Sequence, residues 1–134
     1  MADPIFLVLD EVLQIHDDQL RRYGGAVGVR EWGLVESALA TPQATGGGES
    51  LHRDLAEMAA ACLYHIARNR PFVDGNKRVA TLAAYTFLLL NGQELVADET
   101  DFEQIVVEAA TGARTKQEVA DFIRNHCRPD ARPA

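Results

Sequence analysis

Lys77-Arg78-Val79-Ala80-Thr81-Leu82-Ala83-Ala84-Tyr85-Thr86-Phe87-Leu88-Leu89-Leu90 decides the fold. Val79, Ala80, Leu82, Ala83, Ala84, Phe87, Leu88 and Leu90 lie almost all round a helix, which Asn91-Gly92 then stops. A helix with so little polar surface has to sit at the centre of a bundle, covered by others. Upstream, Leu55, Met58, Ala59, Cys62 and Ile66 recur at spacings of three and four, which predicts a second long helix from Leu51 to about Arg68. Farther out, Ile5 to Leu9 reads as an extended entry segment. Asp10 is expected to cap a helix through about Tyr23, with Val12, Ile15, His16, Gln19 and Leu20 near one face. Gly24-Gly25 ends that helix, and a shorter one follows over Glu31 to Leu39, before Thr41-Pro42. The glycine-rich stretch Thr45 to Ser50 reads as a flexible surface loop. Downstream, Thr100-Asp101-Phe102-Glu103 and Thr115-Lys116-Gln117-Glu118 are capping boxes, each opening a short amphipathic helix. The expected fold is all-α: a compact bundle of about six helices around a buried central helix. One domain spans residues 1–134, with a frayed tail over 128–134.

Composition narrows the function. The 134 residues carry thirteen Lys and Arg against twenty Asp and Glu, a net charge of −7. Direct nucleic-acid binding is therefore not expected, because neutralising phosphates takes a broad basic face. The apolar runs fall short of the ~20 residues of a membrane span, and Met1-Ala2-Asp3-Pro4 lacks the basic start of a secretory signal. Cys62 and Cys127 make no disulfide framework, which suits a reducing, cytoplasmic setting. Cys62, in an apolar helix, reads as a small core residue rather than a nucleophile.

The chemistry concentrates in Asn69-Arg70-Pro71-Phe72-Val73-Asp74-Gly75-Asn76-Lys77-Arg78, a tight loop that feeds the central helix. A helix N-terminus offers unpaired N–H groups and partial positive charge, so it attracts anions. Gly75 lets the backbone approach a ligand, Asn76 brings an amide, and Lys77 and Arg78 bring cations that the helix dipole itself disfavours. A phosphate chain would account for those cations, and Asp74 beside them suits Mg²⁺ held against phosphate oxygens. Phe72 reads as the loop's apolar anchor. The plainer alternative is a capping turn, with Asp74 as the cap and two solvated cations after it.

In order and spacing, Pro71, Phe72, Asp74, Gly75, Asn76, Lys77 and Arg78 match the Fic/Doc family signature His-Pro-Phe-x-(Asp/Glu)-Gly-Asn-(Gly/Lys)-Arg. The resemblance extends to Ile15-His16-Asp17, Tyr23-Gly24-Gly25, Gly28-Val29-Arg30, Leu34 to Leu39 and Ala109-Ala110-Thr111-Gly112, and so covers most of the chain. Lys77 after Gly-Asn, and Thr81 where AMP-transferring members carry a second Arg, follow the Doc (death-on-curing) branch. That resemblance implies a toxin of a toxin–antitoxin pair. Such a toxin moves the terminal phosphate of ATP to a protein hydroxyl, a threonine of the translation factor EF-Tu, and so stops translation. It implies Asp74 as the Mg²⁺ ligand, with Gly75, Asn76, Lys77 and Arg78 around the phosphates and Arg68 within reach of the same anion. A Phd-type antitoxin is the implied partner. Thr45 to Glu49 comes closest to the self-inhibitory helix of some family members but is loop, so control is expected to come from a separate chain.

At the position of the motif's catalytic His, this chain has Arg70. Arginine has no acceptor and stays protonated, so it cannot take a hydroxyl proton as His can. Either the chain is a disarmed toxin or it is a pseudoenzyme that retains binding; AMP transfer is the other enzymatic reading. His65, five residues upstream, is the only nearby candidate for a substitute base and reads instead as an ordinary helix histidine; His52 and His126 read as surface residues.

Overall fold

A computed structural model describes residues 3–132. Six α-helices form the body: α1 (Leu9–Tyr23), α2 (Trp32–Ala40), α3 (Leu55–Asn69), α4 (Asn76–Leu90), α5 (Glu99–Thr111) and α6 (Lys116–His126). The expected all-α bundle is present. None of the described helices is long and apolar enough to cross a membrane.

The centre is shared by two helices. α3 packs against α2, α4, α5 and α6, whereas α4 packs against α1, α3 and α5. Alanines 59, 60, 80, 83 and 84 are fully buried and let α3 and α4 approach closely, with Leu63, Ile66, Val79 and Leu88 filling the space around them. α4 is not enclosed on every side: Leu82, Tyr85 and Leu89 are half-buried and Leu90 is exposed. The more completely covered helix is α3, whose alanine-rich sequence hides how little of it meets water.

Several boundaries move for local reasons. Asp10 does not cap α1: the cap position is Val8, whose N–H donates to Glu11 Oε1 at 3.0 Å, and Asp10 lies in the first turn. Asp54 caps α3 by accepting from the Glu57 N–H at 2.9 Å, so the helix starts four residues after Leu51. Asp98, not Thr100, caps α5, because its carboxylate accepts the Asp101 N–H at 3.1 Å. At α6 the Thr115–Glu118 box closes in both directions, at 3.1 and 3.0 Å. The glycine-rich stretch is a minimal hairpin, β1 (Thr45–Gly46) against β2 (Glu49–Ser50). Its turn residues Gly47 and Gly48 both have positive φ, as the tightest hairpin turn requires.

The C-terminal stretch is tied down further than its composition suggested. β4 (Cys127–Pro129) pairs antiparallel with β3 (Gln93–Leu95), and the Asp130 N–H donates to the Gly92 carbonyl at 2.9 Å. Pro133 and Ala134, the end of the expected frayed tail, lie outside the described residues.

Candidate active site

The loop between α3 and α4 is fixed from three directions. Inside it, the Phe72 N–H donates to Asn76 Oδ1 and Asn76 Nδ2 donates back to the Phe72 carbonyl, each at 2.9 Å. The Asn76 amide therefore closes the loop on itself, and Asn76 is buried. Any contact it makes to an anion comes through its backbone N–H. Phe72 is 1% exposed and stacks on the ring of His16, with centroids 4.0 Å apart. From the side, the strap between α1 and α2 runs along the loop. Val29 bridges Phe72 antiparallel, the Val73 N–H donates to the Gly28 carbonyl at 3.1 Å, and Arg30 and Glu31 both donate to the Pro71 carbonyl.

Gly25, at φ +123°, is required in that strap. A Cβ there would come within 3.0 Å of Leu20 Cδ2 and 3.3 Å of Asp74 Cβ. The close approach lets the Ala26 N–H donate to Asp74 Oδ2 at 2.9 Å. Asp74 is thus held by the strap and does not cap α4, so the plain capping-turn reading is not what the chain adopts. The N-cap of α4 is Gly75, at φ +80°, and no side chain caps the helix. The first N–H to bond back within the helix is that of Val79, to the Gly75 carbonyl. The N–H groups of the first turn remain available to an anion.

The cations around this helix end have no carboxylate partners. Arg70, Lys77 and Arg78 are exposed, and none forms an ion pair among the described residues. The Arg78 guanidinium lies 4.4 Å above the Tyr23 ring, which steadies it without neutralising it. Arg68 behaves differently. Its guanidinium lies toward the C-terminal end of α5, where Nη1 donates to the Ala110 carbonyl at 3.4 Å and Nη2 crowds Gly112. The carbonyl-rich end of α5 accounts for it, so the expected reach toward the loop anion is not the contact it makes.

Arg70 itself sits at φ 53°, ψ 62°, the left-handed region, and it is the only non-glycine residue with positive φ among those described. Such a backbone costs on the order of 1 kcal/mol for an L-residue and persists only when its surroundings impose it. Two contacts do so. Its N–H donates to the Ile66 carbonyl at 3.0 Å, and Arg30 Nε donates to its carbonyl at 2.7 Å while Arg30 Nη2 donates to the Asn69 carbonyl at 2.6 Å. Arg30 was not read from the sequence as a site residue. It lies forty residues away, and only the path of the strap reveals its role. It caps the C-terminus of α3 and sets the direction in which residue 70 leaves the helix.

His65 cannot stand in as a base. Asn69 Nδ2 approaches its Nδ1 at 3.4 Å, and its Nε2 is buried with no partner. Burial, with Lys116 and His52 nearby, also pushes its pKa down. Cys62 is buried and its thiol is pushed up to about 12 by desolvation, so it is no nucleophile. A cavity of about 410 Å³ between the Thr41 turn, His52 and the start of α6 contains none of the loop residues.

The loop's donor set fits a divalent ion and a phosphate chain. Among the described residues Asp74 Oδ1 has no hydrogen-bond partner, and unpaired N–H groups and cations stand beside it. No group of three or more His, Cys, Asp or Glu placed to hold a metal ion occurs among the described residues. A Mg²⁺ ion would accordingly be held by Asp74 together with phosphate oxygens and water, as is usual for that ion.

The family model described as the Fic/DOC family matches residues 6–88, which includes the whole loop. The chain belongs to the Fic/DOC family. Within that family it is 47% identical over 91 residues to "Toxin Doc" of Mycolicibacterium smegmatis, an alignment that covers 66% of this chain and 70% of that protein. It is 36% identical over 115 residues to "Protein kinase doc" of Escherichia phage P1, covering 86% and 90% respectively. The matched span takes in the loop around which Arg70, Lys77 and Arg78 form no ion pair among the described residues.

Proposed function

We propose that this chain is a Doc-type toxin of a toxin–antitoxin module, built to transfer the terminal phosphate of ATP to a protein hydroxyl and disarmed by Arg70. The observation that carries this reading is the uncapped N-terminus of α4, with Arg70, Lys77 and Arg78 unpaired around a carboxylate that the strap holds ready. Phosphoryl transfer needs little covalent chemistry from the protein; it needs positioning and charge stabilisation. Lys77, Arg78 and the first-turn N–H groups supply that stabilisation, and Asp74 supplies the metal ligand. Bound Mg²⁺ would screen phosphate charge that otherwise repels the incoming hydroxyl.

In the reaction the acceptor oxygen forms a bond to the γ-phosphorus, the bond from phosphorus to the bridging oxygen breaks, and ADP leaves. The hydroxyl proton has to pass to a base. Arg70 offers no lone pair, which removes a contribution of ~10²–10⁴-fold. A protein acceptor suits the surface around the loop, where Tyr23, Val27, Trp32 and Val73 all remain exposed. EF-Tu, through one of its threonines, is the acceptor this reading names, with arrest of translation as the outcome. The name "Protein kinase doc" of the phage relative supports a phosphoryl rather than an adenylyl donor. A Phd-type antitoxin is the proposed partner, and the cytoplasm, where ATP and EF-Tu occur, the proposed setting.

Reverting Arg70→His tests the reading. With ATP, Mg²⁺ and EF-Tu present, the acceptor should gain about 80 Da per phosphate, and the present chain should be slower by ~10²–10⁴-fold. A gain of about 329 Da would identify AMP transfer instead. No gain in mass from the reverted protein would overturn the enzymatic reading and leave a binding-only module.

A further inference from the structure

His16 projects from α1 into the underside of the loop and is 6% exposed. Its Nε2 lies 3.0 Å from the Asp74 carbonyl. A carbonyl oxygen only accepts, so Nε2 carries the hydrogen and donates it. The same ring stacks on Phe72 with an interplanar angle of 16°. Were packing its whole task, a phenyl ring would perform it without burying a polar group, which costs about 1–3 kcal/mol unless bonded. The bond it does form goes to the backbone of the residue whose carboxylate faces solvent. Asp74 is therefore held at both ends by what α1 supplies: its carbonyl by His16, and its carboxylate Oδ2 by the Ala26 N–H just past the helix.

We infer that His16 is a positioning residue for Asp74, fixing the aspartate's backbone so that one carboxylate oxygen stays on the strap and the other stays free for a metal. The inference rests on the nucleotide reading of Asp74, but its structural part can be checked apart from that reading. His16→Phe keeps the stack on Phe72 and removes the donor. His16→Gln keeps a donor at the same reach and gives up the stack.

The first measurement is amide hydrogen exchange in the full chain without ligand, because the Ala26 N–H reports directly on the Asp74 carboxylate. In His16→Phe the Ala26 amide should exchange about tenfold faster, while the Leu63 and Leu88 amides in the core keep their rates. The second measurement is calorimetry with ATP and Mg²⁺. Affinity should fall about tenfold in His16→Phe, in the range seen when a partner that orients a metal ligand is lost. It should return in His16→Gln even though that variant melts at lower temperature. In the Arg70→His background, His16→Phe should raise the KM for Mg²⁺-ATP more than it lowers kcat.

A His16→Phe chain with the parent's Ala26 exchange and affinity overturns the inference. So does one that fails to fold, or a Gln variant that rescues nothing. A parent chain that binds no Mg²⁺-ATP would instead sink the nucleotide reading, while exchange at Ala26 still decides the positioning role.

Discussion

The two ends of α3 handle charge in opposite ways. At its start, Asp54 caps the helix and receives Arg124 at 2.8 and 3.2 Å. Arg124 also reaches Glu57 at 3.3 Å and Asp121 at 2.8 Å, and Arg53 pairs with Glu57 at 2.6 Å. Every charge there has a partner, and the acids sit where the helix dipole favours them. Past its other end, Arg70, Lys77 and Arg78 have no acidic partner among the described residues, although the chain carries seven more acids than bases. Two of the three also sit at a helix N-terminus, where cations are disfavoured. The loop's backbone, by contrast, is bonded from Asn69 through Asn76. One end spends its side chains on stability; the other fixes its backbone and leaves its charged side chains without ion pairs among the described residues.

The sharpest way to break that contrast is at Asn76, where the fixed backbone depends on one amide. Asn76→Ala strips the Phe72 N–H and carbonyl of their partners in a buried position. The cost should be about 3 kcal/mol, given 1–3 kcal/mol for each buried group left unsatisfied. Melting temperature should then fall by on the order of 10 °C. Asn76→Asp restores an acceptor but sets a carboxylate oxygen against a carbonyl, so it should recover less than half the loss. If Asn76→Ala melts within 2–3 °C of the parent, about 1 kcal/mol or less by the same scaling, the loop is not held as described.

How much of this was legible in the sequence follows from the range of each interaction. The helices were legible because their signals are local and repeat every three or four residues. The motif turn was legible because Pro, Gly and Asn restrict the backbone by themselves. The three-residue strands β3 and β4 were not, since so short a pair has no period to read and its partners lie more than thirty residues apart. Residue types at the site were readable while their partners were not. Asn76 reads as a ligand and works as a brace; Arg68 reads as an anion contact and rests on α5; Arg30 is visible only within Gly28-Val29-Arg30, with nothing to say what it holds. Likewise, nothing in the letters at position 70 disclosed a left-handed backbone, which is imposed by Ile66 and Arg30 from outside.

The start of α3 should betray its saturated charges in acid. Hydrogen bonds from Arg124 hold the Asp54 pKa below its ordinary value, and the Arg53 N–H, followed by its guanidinium, does the same for Glu57. A carboxyl whose folded pKa is depressed contributes stability that is present above its unfolded pKa and lost as pH falls through the folded one. Stability should therefore decline as pH drops below about 4.5, the ordinary glutamate value. Arg124→Gln should flatten that decline, because the largest depression at Asp54 comes from this arginine. Denaturant melts at pH 6, 4 and 3 would read it, and identical acid slopes in the two chains would remove the Arg124 network from the comparison.

The smallest effect has the opposite sign, which makes it the most discriminating. Lys77 is exposed, pairs with no acid among the described residues and lies in the first turn of α4, against the helix dipole. Lys77→Gln should raise stability by about 0.3–1 kcal/mol, the usual size of a charge–dipole term near a helix end. On the proposed function it should also weaken Mg²⁺-ATP binding, because the charge retained at a cost to the fold is the one assigned there to phosphate. A lysine that merely decorates the helix end would give the gain in stability with binding unchanged, and one that stabilises the fold would give a loss. Only a residue kept for its ligand makes the protein firmer and the site weaker in the same substitution.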